Sequence, residues 1–383
     1  MDRCDVVIVG GGPAGSSCAW ALRKAGLDVV VVDKKAFPRD KVCAGWITPA
    51  LIDELDLDIE AYCQQHVLQP ITGFRVGLID GPALNIRYGH PVSYGIRRCE
   101  FDDYLLRRSG ARLRLGEPVE KLMHSPSGWV INDTLQTPMI VGAGGHFCPV
   151  ARYLGADVGR SERAVNAQEC EFEIASSQQA AYPIEAGVPE LYFCADLKGY
   201  GWCIRKGDFI NIGLGREDTQ GLAQHVAAFH DLLARRGRLP ADLKPHYKGH
   251  AYLLYEHAQR ELVGDGVLLI GDAAGLACTQ SGEGIRPAIE SGLLAATTIF
   301  QADGRYTRAT LETYTDRLTA RFGARDGRDG SDILPANLKS RLARKLMTQH
   351  WFIQNIVLDR WFLRTQEPPL QYALGPVLAS RRA

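Results

Sequence analysis

Three glycines near the start of the chain have the spacing of a dinucleotide-binding turn. Gly10, Gly12 and Gly15 fit the pattern G-x-G-x-x-G directly after the apolar run Val6–Val9. In this pattern the first glycine permits a tight turn, the second lets a pyrophosphate approach the backbone, and the third lets helix and strand pack closely. Pro13 suits the first helical turn, whose free N–H groups would face phosphate oxygens. The pattern predicts a phosphate-binding turn, and Ala14 belongs to it.

An acidic residue follows the second strand of the same unit. Asp33 ends the apolar run 29–33, where a carboxylate can accept hydrogen bonds from a ribose hydroxyl. Lys34 comes next and is assigned to the same site. Strand, glycines, helix, strand and terminal acid occur in the expected order, so the unit predicts a dinucleotide site. It does not distinguish FAD from NAD.

A second motif lies far along the chain. The stretch GVLLIGDAAG (266–275) predicts a buried strand that ends at Gly271 and Asp272, and a helix should start near Gly284. An aspartate there can bind a polyol chain, and the helix N-terminus favours the negative charge that reduced flavin carries near N1 and C2=O. NAD has no ribityl chain, so the two motifs together favour FAD. The residues assigned to this half of the site are Gly271, Asp272, Gly282, Glu283, Gly284 and Ile285.

A thiol lies in an irregular segment just after the first unit. The stretch DKVCAGWITP (40–49) contains Cys43 and predicts neither a helix nor a strand. In a fold of this kind the chain returns toward the flavin ring here, so Cys43 could face the reacting side of the cofactor. The alternative is a thiol that only packs.

Composition excludes several classes of protein. The 383 residues suit two closely joined domains, and 44 basic residues balance 44 acidic ones, which excludes nucleic-acid binding through a general positive field. The ten cysteines form no C-x-x-C pair and are expected to be free thiols in a reducing cytoplasm. No signal peptide or membrane span is expected. His246 and His250 are four apart, but Pro245 and Gly249 argue against an aligning helix, so no metal site is predicted.

The motifs resemble those of a known superfamily. GGGPAG, Arg98 within RRCEFDDYL, and GDAAG with GEGI resemble the FAD-dependent oxidoreductases of the aromatic-hydroxylase fold. Within it, KVCAG (41–45) and YGWCIRKGDFINIGLG (200–215) are similar to the Lys-x-Cys-Gly and Tyr-x-Trp-x-Phe-Pro-Lys-Gly motifs of the geranylgeranyl reductase family. Ile204 and Arg205 replace that family's Phe-Pro. The resemblance covers roughly residues 1–300.

The resemblance implies a chemistry. Reduced FAD would deliver a hydride to one carbon of an isolated double bond in an apolar substrate, and an acid would protonate the other carbon. The candidate acids are Cys43, Tyr200 and Glu283, with Cys43 favoured by the family motif. Trp202 either lines the substrate or belongs to the core. The electron donor would be NAD(P)H or a ferredoxin.

Arg98 has two interpretations. By the resemblance it would reach the phosphates or ribityl chain of the flavin. The alternative is a surface ion pair with Glu100 or Asp102.

The predicted fold is α/β, with an FAD-binding Rossmann-like domain, an inserted, mostly antiparallel substrate sheet and a C-terminal helical region. The FAD-binding domain would comprise residues 1–70, 92–164 and 261–330, and the substrate domain residues 71–91 and 165–260. Residues 331–383 form the third region, with apolar residues at helical spacing and basic residues beside them, among them Leu338 and Lys339. This region either packs on the FAD-binding domain or covers a lipid tunnel or faces a membrane.

Two other functions stay open. The same fold supports FAD-dependent monooxygenases and halogenases, which act on aromatic or other small molecules. A non-catalytic electron-transfer flavoprotein is the second alternative, and it would need no large apolar cavity beside the flavin.

Overall fold

The computed structural model describes residues 1–157, 162, 164–218, 221–325 and 336–372. The strands are β1 (Asp2–Arg3), β2 (Val6–Val9), β3 (Val29–Asp33), β4 (Trp46–Ile47), β5 (Leu68–Ile71), β6 (Gly73–Leu78), β7 (Ala83–Arg87), β8 (Ser93–Ile96), β9 (Arg112–Leu115), β10 (Leu122–Ser125), β11 (Gly128–Ile131), β12 (Leu135–Thr137), β13 (Met139–Gly142), β14 (Ala164–Glu173), β15 (Glu190–Phe193), β16 (Gly199–Lys206), β17 (Phe209–Arg216), β18 (Lys248–Leu253), β19 (Val263–Gly264) and β20 (Val267–Leu269).

Helices of several types connect these strands. The α-helices are α1 (Pro13–Lys24), α2 (Pro49–Glu54), α3 (Ile59–Cys63), α4 (Arg98–Arg108), α5 (Pro149–Tyr153), α6 (Leu222–Arg235), α7 (Ile285–Ala302), α8 (Arg308–Leu311), α9 (Thr313–Phe322), α10 (Ala336–Leu346) and α11 (His350–Phe352). Short 3₁₀ helices span Ser176–Ala181, Tyr255–His257 and Gly271–Ala273, and a π-helix spans Ile353–Phe362. Within the described ranges, no helix combines the length and apolar character that crossing a bilayer requires.

The central sheet has the strand order β19-β20-β13-β2-β3-β9. All its pairs are parallel except β19 with β20. Strands β2, β13 and β20 are continuous apolar runs because both faces of a parallel sheet are covered. Helices α1 and α7 pack closely against each other, and a Cβ on Gly292 would collide with the carbonyl of Ala14.

A second sheet has the order β18-β14-β17-β16-β15-β6-β7, and it is antiparallel except for the β15–β6 pair. Strand β14 alternates between buried and less buried positions over its first half, as the period-two pattern of the sequence predicts, whereas β15, β16 and β17 are buried on both faces over most of their length. Helix α6, which the sequence analysis did not predict, packs Val226, Phe229 and Leu233 against this sheet. The α/β fold with an inserted antiparallel sheet and C-terminal helices is confirmed, and the domain boundaries stay a prediction.

The C-terminal region packs mainly on the inserted sheet. Met347, Val357 and Phe362 belong to the same buried cluster as Leu191 and Trp202 of that sheet. The chain contacts the FAD-binding part from Phe362 onward, where Phe362 packs on Trp46 and Arg364 Nη1 donates to Cys278 Sγ at 3.0 Å. Further on, the Leu370 N–H and the Tyr372 hydroxyl donate hydrogen bonds to Glu54. Packing on the FAD-binding domain therefore describes only the last described residues, and the helical region covers the substrate sheet. The side chains of Leu338 and Lys339 lie outside the described part.

Candidate active site

A single cleft brings together most of the predicted site residues. It has a volume of about 540 Å³ and lies at the carboxyl ends of β2, β3, β13 and β20, facing the inserted sheet. That edge is where ligands bind in open α/β sheets. Predicted residues that line the cleft are Gly10, Gly12, Pro13, Ala14, Asp33, Lys34, Cys43, Arg98, Tyr200, Trp202, Asp272, Gly282, Glu283, Gly284 and Ile285.

Two predicted residues, Gly15 and Gly271, are not among the lining residues. Gly15 lies behind the turn, where a Cβ would collide with the carbonyl of Gly10. Gly271 has φ of +58°, and a Cβ there would crowd the Ala14 side chain. The Gly271 N–H donates a hydrogen bond to Ser291 Oγ at 3.0 Å. Both residues shape the backbone from behind the cleft, and their assignment as cofactor contacts stays a prediction.

The glycine turn leaves backbone groups open to the cleft. Gly10 has φ of +115°, a conformation that favours glycine, and a Cβ there would collide with the Ala143 backbone. The described atom nearest to a Cβ placed on Gly12 is Nη2 of Arg39, at 3.4 Å. No described side chain caps the N-terminus of α1. This helix end therefore presents N–H groups to an anion.

Asp33 fixes the turn as well as facing the cleft. Its Oδ2 accepts from the Gly11 N–H at 2.8 Å, and its Oδ1 accepts from the Lys35 N–H at 2.8 Å. Each carboxylate oxygen has a second lone pair, which leaves capacity for a ribose hydroxyl.

Two arginines share one buried carboxylate. Arg98 donates to Asp102 through Nε and Nη2, both at 2.8 Å, and Arg39 Nη2 lies 3.3 Å from the same carboxylate. Asp102 is fully buried, so this is not the surface ion pair that the sequence left open. Burial opposes the charge of Arg98, but Asp102 and the Cys43 thiol hold its pKa above the usual value. Both guanidinium groups border the cleft.

Asp272 meets two basic residues that the sequence analysis did not assign to the site. Its Oδ2 lies 3.8 Å from Lys41 Nζ and 3.5 Å from His250 Nε2. Burial raises the pKa of Asp272, but the His250 hydrogen bond and the Lys41 charge outweigh it and hold the pKa well below the usual range. Lys41 belongs to the KVCAG motif, whereas His250 comes from β18 of the inserted sheet.

Glu283 caps helix α7. Its Oε1 accepts from the Arg286 N–H at 2.7 Å, which satisfies one free donor of the first turn. Burial raises the pKa of Glu283. The described atom nearest to a Cβ placed on Gly284 is Oδ1 of Asp272, at 3.5 Å, so this second glycine also leaves the cleft open.

Two polar residues hold the backbone of the Cys43 segment by hydrogen bonds. The Cys43 N–H donates to Glu169 Oε2 at 2.5 Å, and Asn211 Nδ2 donates to the Cys43 carbonyl at 3.1 Å. Asn211 Oδ1 also accepts from Trp202 Nε1 at 2.7 Å. One amide therefore fixes the thiol-bearing loop and the tryptophan together. Cys43 lies close enough to Arg98 to help raise the pKa of that guanidinium.

The motif around Tyr200 is one face of β16. Tyr200, Trp202, Ile204 and Lys206 alternate along the strand and therefore share a face. The Tyr200 hydroxyl donates to the Ser281 carbonyl at 2.6 Å, and Lys206 is fully buried in an ion pair with Glu171 at 2.7 Å. The structural alternative for Tyr200, a hydrogen-bond donor, is observed. Tyr200 also borders the cleft.

An aromatic wall closes this end of the cleft. Phe362 of the π-helix contacts Trp46, Tyr200 and Phe193, with ring centroids 5.7, 5.4 and 6.4 Å apart. Trp46 and Trp202 are buried in the same cluster. Trp46, Tyr200 and Trp202 line this end of the cleft, and Phe362 packs behind them, so the surface offered here is aromatic and apolar.

Sequence reasoning did not assign Lys41, His250, Glu169, Asn211 or Phe362 to the site. Glu169 and Asn211 carried a signal, because each is a polar residue at a cleft-facing, buried position of a β-strand. His250 was weighed only as a metal ligand. Within the described residues, no cluster of His, Cys, Asp and Glu is arranged to hold a metal ion.

The donor set fits FAD. Gly12 and Gly284 face the cleft from its two halves, and the position of a Cβ on each is open. The uncapped start of α1, Arg39 and Arg98 offer contacts for an anion. Asp272 lies where a polyol chain needs a hydrogen-bond acceptor. The cleft volume falls in the range of small-molecule sites.

Solved structures share this architecture. A geranylgeranyl bacteriochlorophyll reductase-like protein of Thermoplasma acidophilum aligns with a TM-score of 0.72 and 20% identity, covering 91% of this chain and 88% of that one. A flavin-dependent brominase aligns with a TM-score of 0.69 and 19% identity, covering 99% and 98%. These similarities identify the fold and do not choose between the chemistries.

Sequence relatives are more specific. A model described as FAD dependent oxidoreductase matches residues 5–78. The menaquinone reductase of Mycobacterium tuberculosis is 33% identical over 319 residues, covering 77% of this chain and 76% of that protein. The chloroplastic geranylgeranyl diphosphate reductase of Oryza sativa subsp. japonica is 29% identical over 343 residues, covering 84% and 71%. The chain therefore belongs to the geranylgeranyl reductase family of FAD-dependent oxidoreductases.

Proposed function

We propose that this FAD-dependent oxidoreductase reduces carbon–carbon double bonds in the isoprenoid chain of an apolar lipid. The observation that carries the proposal is the continuity of the cleft, which runs from the glycine turn to the aromatic wall and passes Cys43 on the way. Menaquinone and geranylgeranyl diphosphate, the compounds in the relatives' names, share a polyprenyl chain. That chain is the part an apolar aromatic surface would recognise.

The cofactor would be held by both motifs. Gly10, Gly12 and the start of α1 would take the pyrophosphate, and Asp33 the ribose. Arg98 and Lys34 would add positive charge, whereas Asp272 would accept from the ribityl hydroxyls. The remaining contacts would come from the start of α7 and from the helix α1 side, namely Pro13, Ala14, Gly282, Glu283, Gly284 and Ile285. When bound and reduced, FAD supplies a hydride.

Cys43 is the acid that we assign to the reaction. Tyr200 and Glu283, the other candidates, already hold structural hydrogen bonds to Ser281 and Arg286. The Cys43 thiol lies beside Arg98, whose charge would balance the sulfur after it gives up a proton. Trp202 is held by Asn211 and would face the chain together with Tyr200.

Anaerobic single-turnover reduction tests this function. Dithionite-reduced protein is mixed with geranylgeranyl diphosphate or a menaquinone, and flavin reoxidation and product mass are followed. The expected result is reoxidation with a gain of H₂ per reduced bond. Reoxidation only in the presence of oxygen, with hydroxylation or halogenation of an aromatic compound, would support the rival chemistry. No reaction with any substrate would favour an electron-transfer protein.

The electrons would come from NAD(P)H that binds transiently or from a ferredoxin. Anaerobic mixing of the oxidised protein with each donor in turn, followed by flavin absorbance, identifies which of them reduces it. Bleaching by one donor and not by the other assigns the partner.

A lipid substrate also suggests contact with a membrane surface. Leu342 and Trp351 are 49% and 64% exposed, and Arg341, Arg344 and Lys345 lie in the same helical region. Arg344 is held by Asp80 at 2.8 Å, which leaves fewer free charges for lipid. Co-flotation with anionic vesicles, lost in a Trp351→Ser, Leu342→Ser variant, would support peripheral binding. Equal flotation of the variant would contradict it.

A further inference from the structure

Gly213 lies directly beneath the indole ring of Trp202. The two residues are cross-strand neighbours on β17 and β16, so their side-chain positions share the face of the inserted sheet that borders the cleft. A Cβ placed on Gly213 would lie 2.2 Å from Trp202 Cζ2 and 2.6 Å from Trp202 Cε2. The indole therefore occupies the volume that any other residue at position 213 would need.

The position of this indole is fixed by its neighbours in the sheet. Trp202 Nε1 donates to Asn211 Oδ1 at 2.7 Å, and Asn211 lies two residues before Gly213 on β17. Strand β17 pairs with β14 on one side and β16 on the other, so hydrogen bonds hold its backbone at both edges. A side chain at position 213 would therefore displace the ring rather than the strand. The open space beside the ring is the cleft, which Trp202 lines.

Trp202 marks the end of the cleft along β16. Tyr200 and Trp202 both line the cleft. Ile204 and Lys206 follow on the same face of the strand, are buried, and are not among the described residues that line it. The position of the indole therefore decides how far the cleft extends along this strand.

We propose that Gly213 sets the length of the prenyl chain that the cleft accepts, because it lets the Trp202 indole lie against β17. The inference rests on the proposed function, in which an apolar chain occupies the aromatic end of the cleft. A side chain at position 213 should push the indole toward the cleft and shorten it. Removal of the indole should lengthen it. Gly213 is thus a specificity-determining residue that acts through a single ring.

The contact between Gly213 and the indole is tested without substrate. In ¹⁵N-tryptophan-labelled holoenzyme, the indole N–H resonance of Trp202 is assigned by its loss in Trp202→Leu. In Gly213→Ala this resonance should shift and its proton should exchange faster with solvent, because the displaced ring leaves Asn211. An unchanged resonance would overturn the proposal, whether or not the protein binds prenyl chains.

The matched control is Gly201→Ala, which adds the same methyl group on the opposite face of the sheet. A Cβ on Gly201 would lie 2.7 Å from the ring of Phe229 on α6. This variant should lower the melting temperature through crowding and leave the Trp202 resonance in place. It separates a general loss of packing from the displacement of one ring.

Chain length is tested by binding, which does not depend on reduction. Oxidised holoenzyme is titrated with farnesyl diphosphate and geranylgeranyl diphosphate, which have three and four isoprene units, and flavin absorbance is followed. In Gly213→Ala the affinity for the longer chain relative to the shorter one should fall by about tenfold, the lower range for a methylene-sized change in an apolar pocket. In Trp202→Leu the same ratio should rise.

The double variant decides whether the ring transmits the effect. Gly213→Ala combined with Trp202→Leu should show the ratio of Trp202→Leu alone, because no indole remains to be displaced. A fall in the ratio that persists in the double variant would assign the effect to the Gln168 carbonyl oxygen, 2.7 Å from the same Cβ position, and would contradict the proposal.

The remaining outcomes are also distinct. Equal ratios in the wild-type protein and Gly213→Ala would overturn the proposal, and Gly201→Ala should keep the wild-type ratio. If Gly213→Ala does not fold, an unchanged ratio in Trp202→Leu would show that the indole does not end the cleft. If the wild-type protein binds neither diphosphate, the proposed function fails, and the NMR experiment still decides whether Gly213 positions the indole.

Discussion

The two ends of the cleft differ in whether backbone or side chains line them. At the nucleotide end the wall is mostly backbone, and its main parts, Gly10, Gly12 and Asp33, come from one short stretch of chain. At the reacting end the wall is made of side chains, which come from the KVCAG loop, β14, β16 and β18, with the π-helix packed behind them. One end is local in sequence and the other is assembled from four distant segments.

This difference determines how each end responds to substitution. A backbone wall has no spare volume, so any added side chain displaces the cofactor or the strand beneath it. A side-chain wall changes shape when a residue changes, while the fold around it persists. Substitutions at the first end should therefore remove FAD, and those at the second should change the product. The following predictions test this contrast, from the largest expected effect to the smallest.

The largest effect is expected at Gly15. In Gly15→Val the new side chain would collide with the Gly10 carbonyl and crowd Ile8, so β2 and α1 could not keep their spacing. We expect no FAD in the purified protein and little folded material, measured by flavin absorbance and circular dichroism. Gly89→Ala is the control, since no described atom lies near its Cβ position. A flavin-loaded Gly15→Val protein would break the contrast.

The buried Asp102 comes next. Asp102→Asn removes the charge that Arg98 and Arg39 share in the core. Breaking a buried pair typically costs about 3–5 kcal/mol, so unfolding in urea should shift by that amount and FAD should bind more weakly. Asp103→Asn is the neighbouring control, because its ion pair with Arg107 is at the surface. Equal stabilities of the two variants would contradict the assignment of Asp102.

Glu169 should make the protein less stable as pH rises. Burial raises its pKa from 4.5 to about 7, although the Cys43 N–H and Lys206 oppose this. The folded state therefore keeps a proton that the unfolded chain loses, and stability falls between about pH 4.5 and pH 7. Glu169→Gln should remove this loss and stabilise the protein above pH 7 by up to about 3 kcal/mol.

The same variant should not gain activity, since Glu169 supports the Cys43 loop. Melting temperatures of both proteins from pH 5 to pH 8 check the prediction. Parallel curves would mean that Glu169 does not titrate in this range.

The smallest energetic effect is expected for Cys43→Ser. FAD content should stay at the wild-type level, because Cys43 binds the rest of the site through its backbone N–H and carbonyl. Product formation should fall by about tenfold, which corresponds to about 1.4 kcal/mol in the barrier, or shift to another product. Cys63→Ser, an exposed thiol, is the control. Unchanged turnover in Cys43→Ser would assign the thiol to packing.

The contrast also explains what could be predicted from sequence. The strand, glycine turn, helix and terminal acid of residues 4–33 form by local rules, so the elements that build the nucleotide end were predictable from sequence. The GDAAG strand and the helix after Gly284 were predictable for the same reason, as were the alternating strands of the inserted sheet. Helix α6 was missed although Leu222, Val226, Phe229 and Leu233 recur at helical spacing, because the segment between the alternating strands was not considered as a helix.

The reacting end was only partly predictable, because its contacts join residues far apart in the chain. Asn211 meets Cys43 across 168 positions, and Lys41 meets His250 across 209. No period or local motif records such pairings. They follow from the register of β14, β17 and β18 in a sheet whose order is not the order of the sequence.

Phe362 has a consequence for how this fold diversifies. Its ring supports the wall from behind, against Trp46, Tyr200 and Phe193, and the segment that carries it supplies no residue to the glycine turns described above. Evolution can therefore lengthen, shorten or reshape the wall for a new substrate while the cofactor keeps its place. If the two ends of the cleft change independently in this way, a reductase-like protein and a brominase can share one architecture.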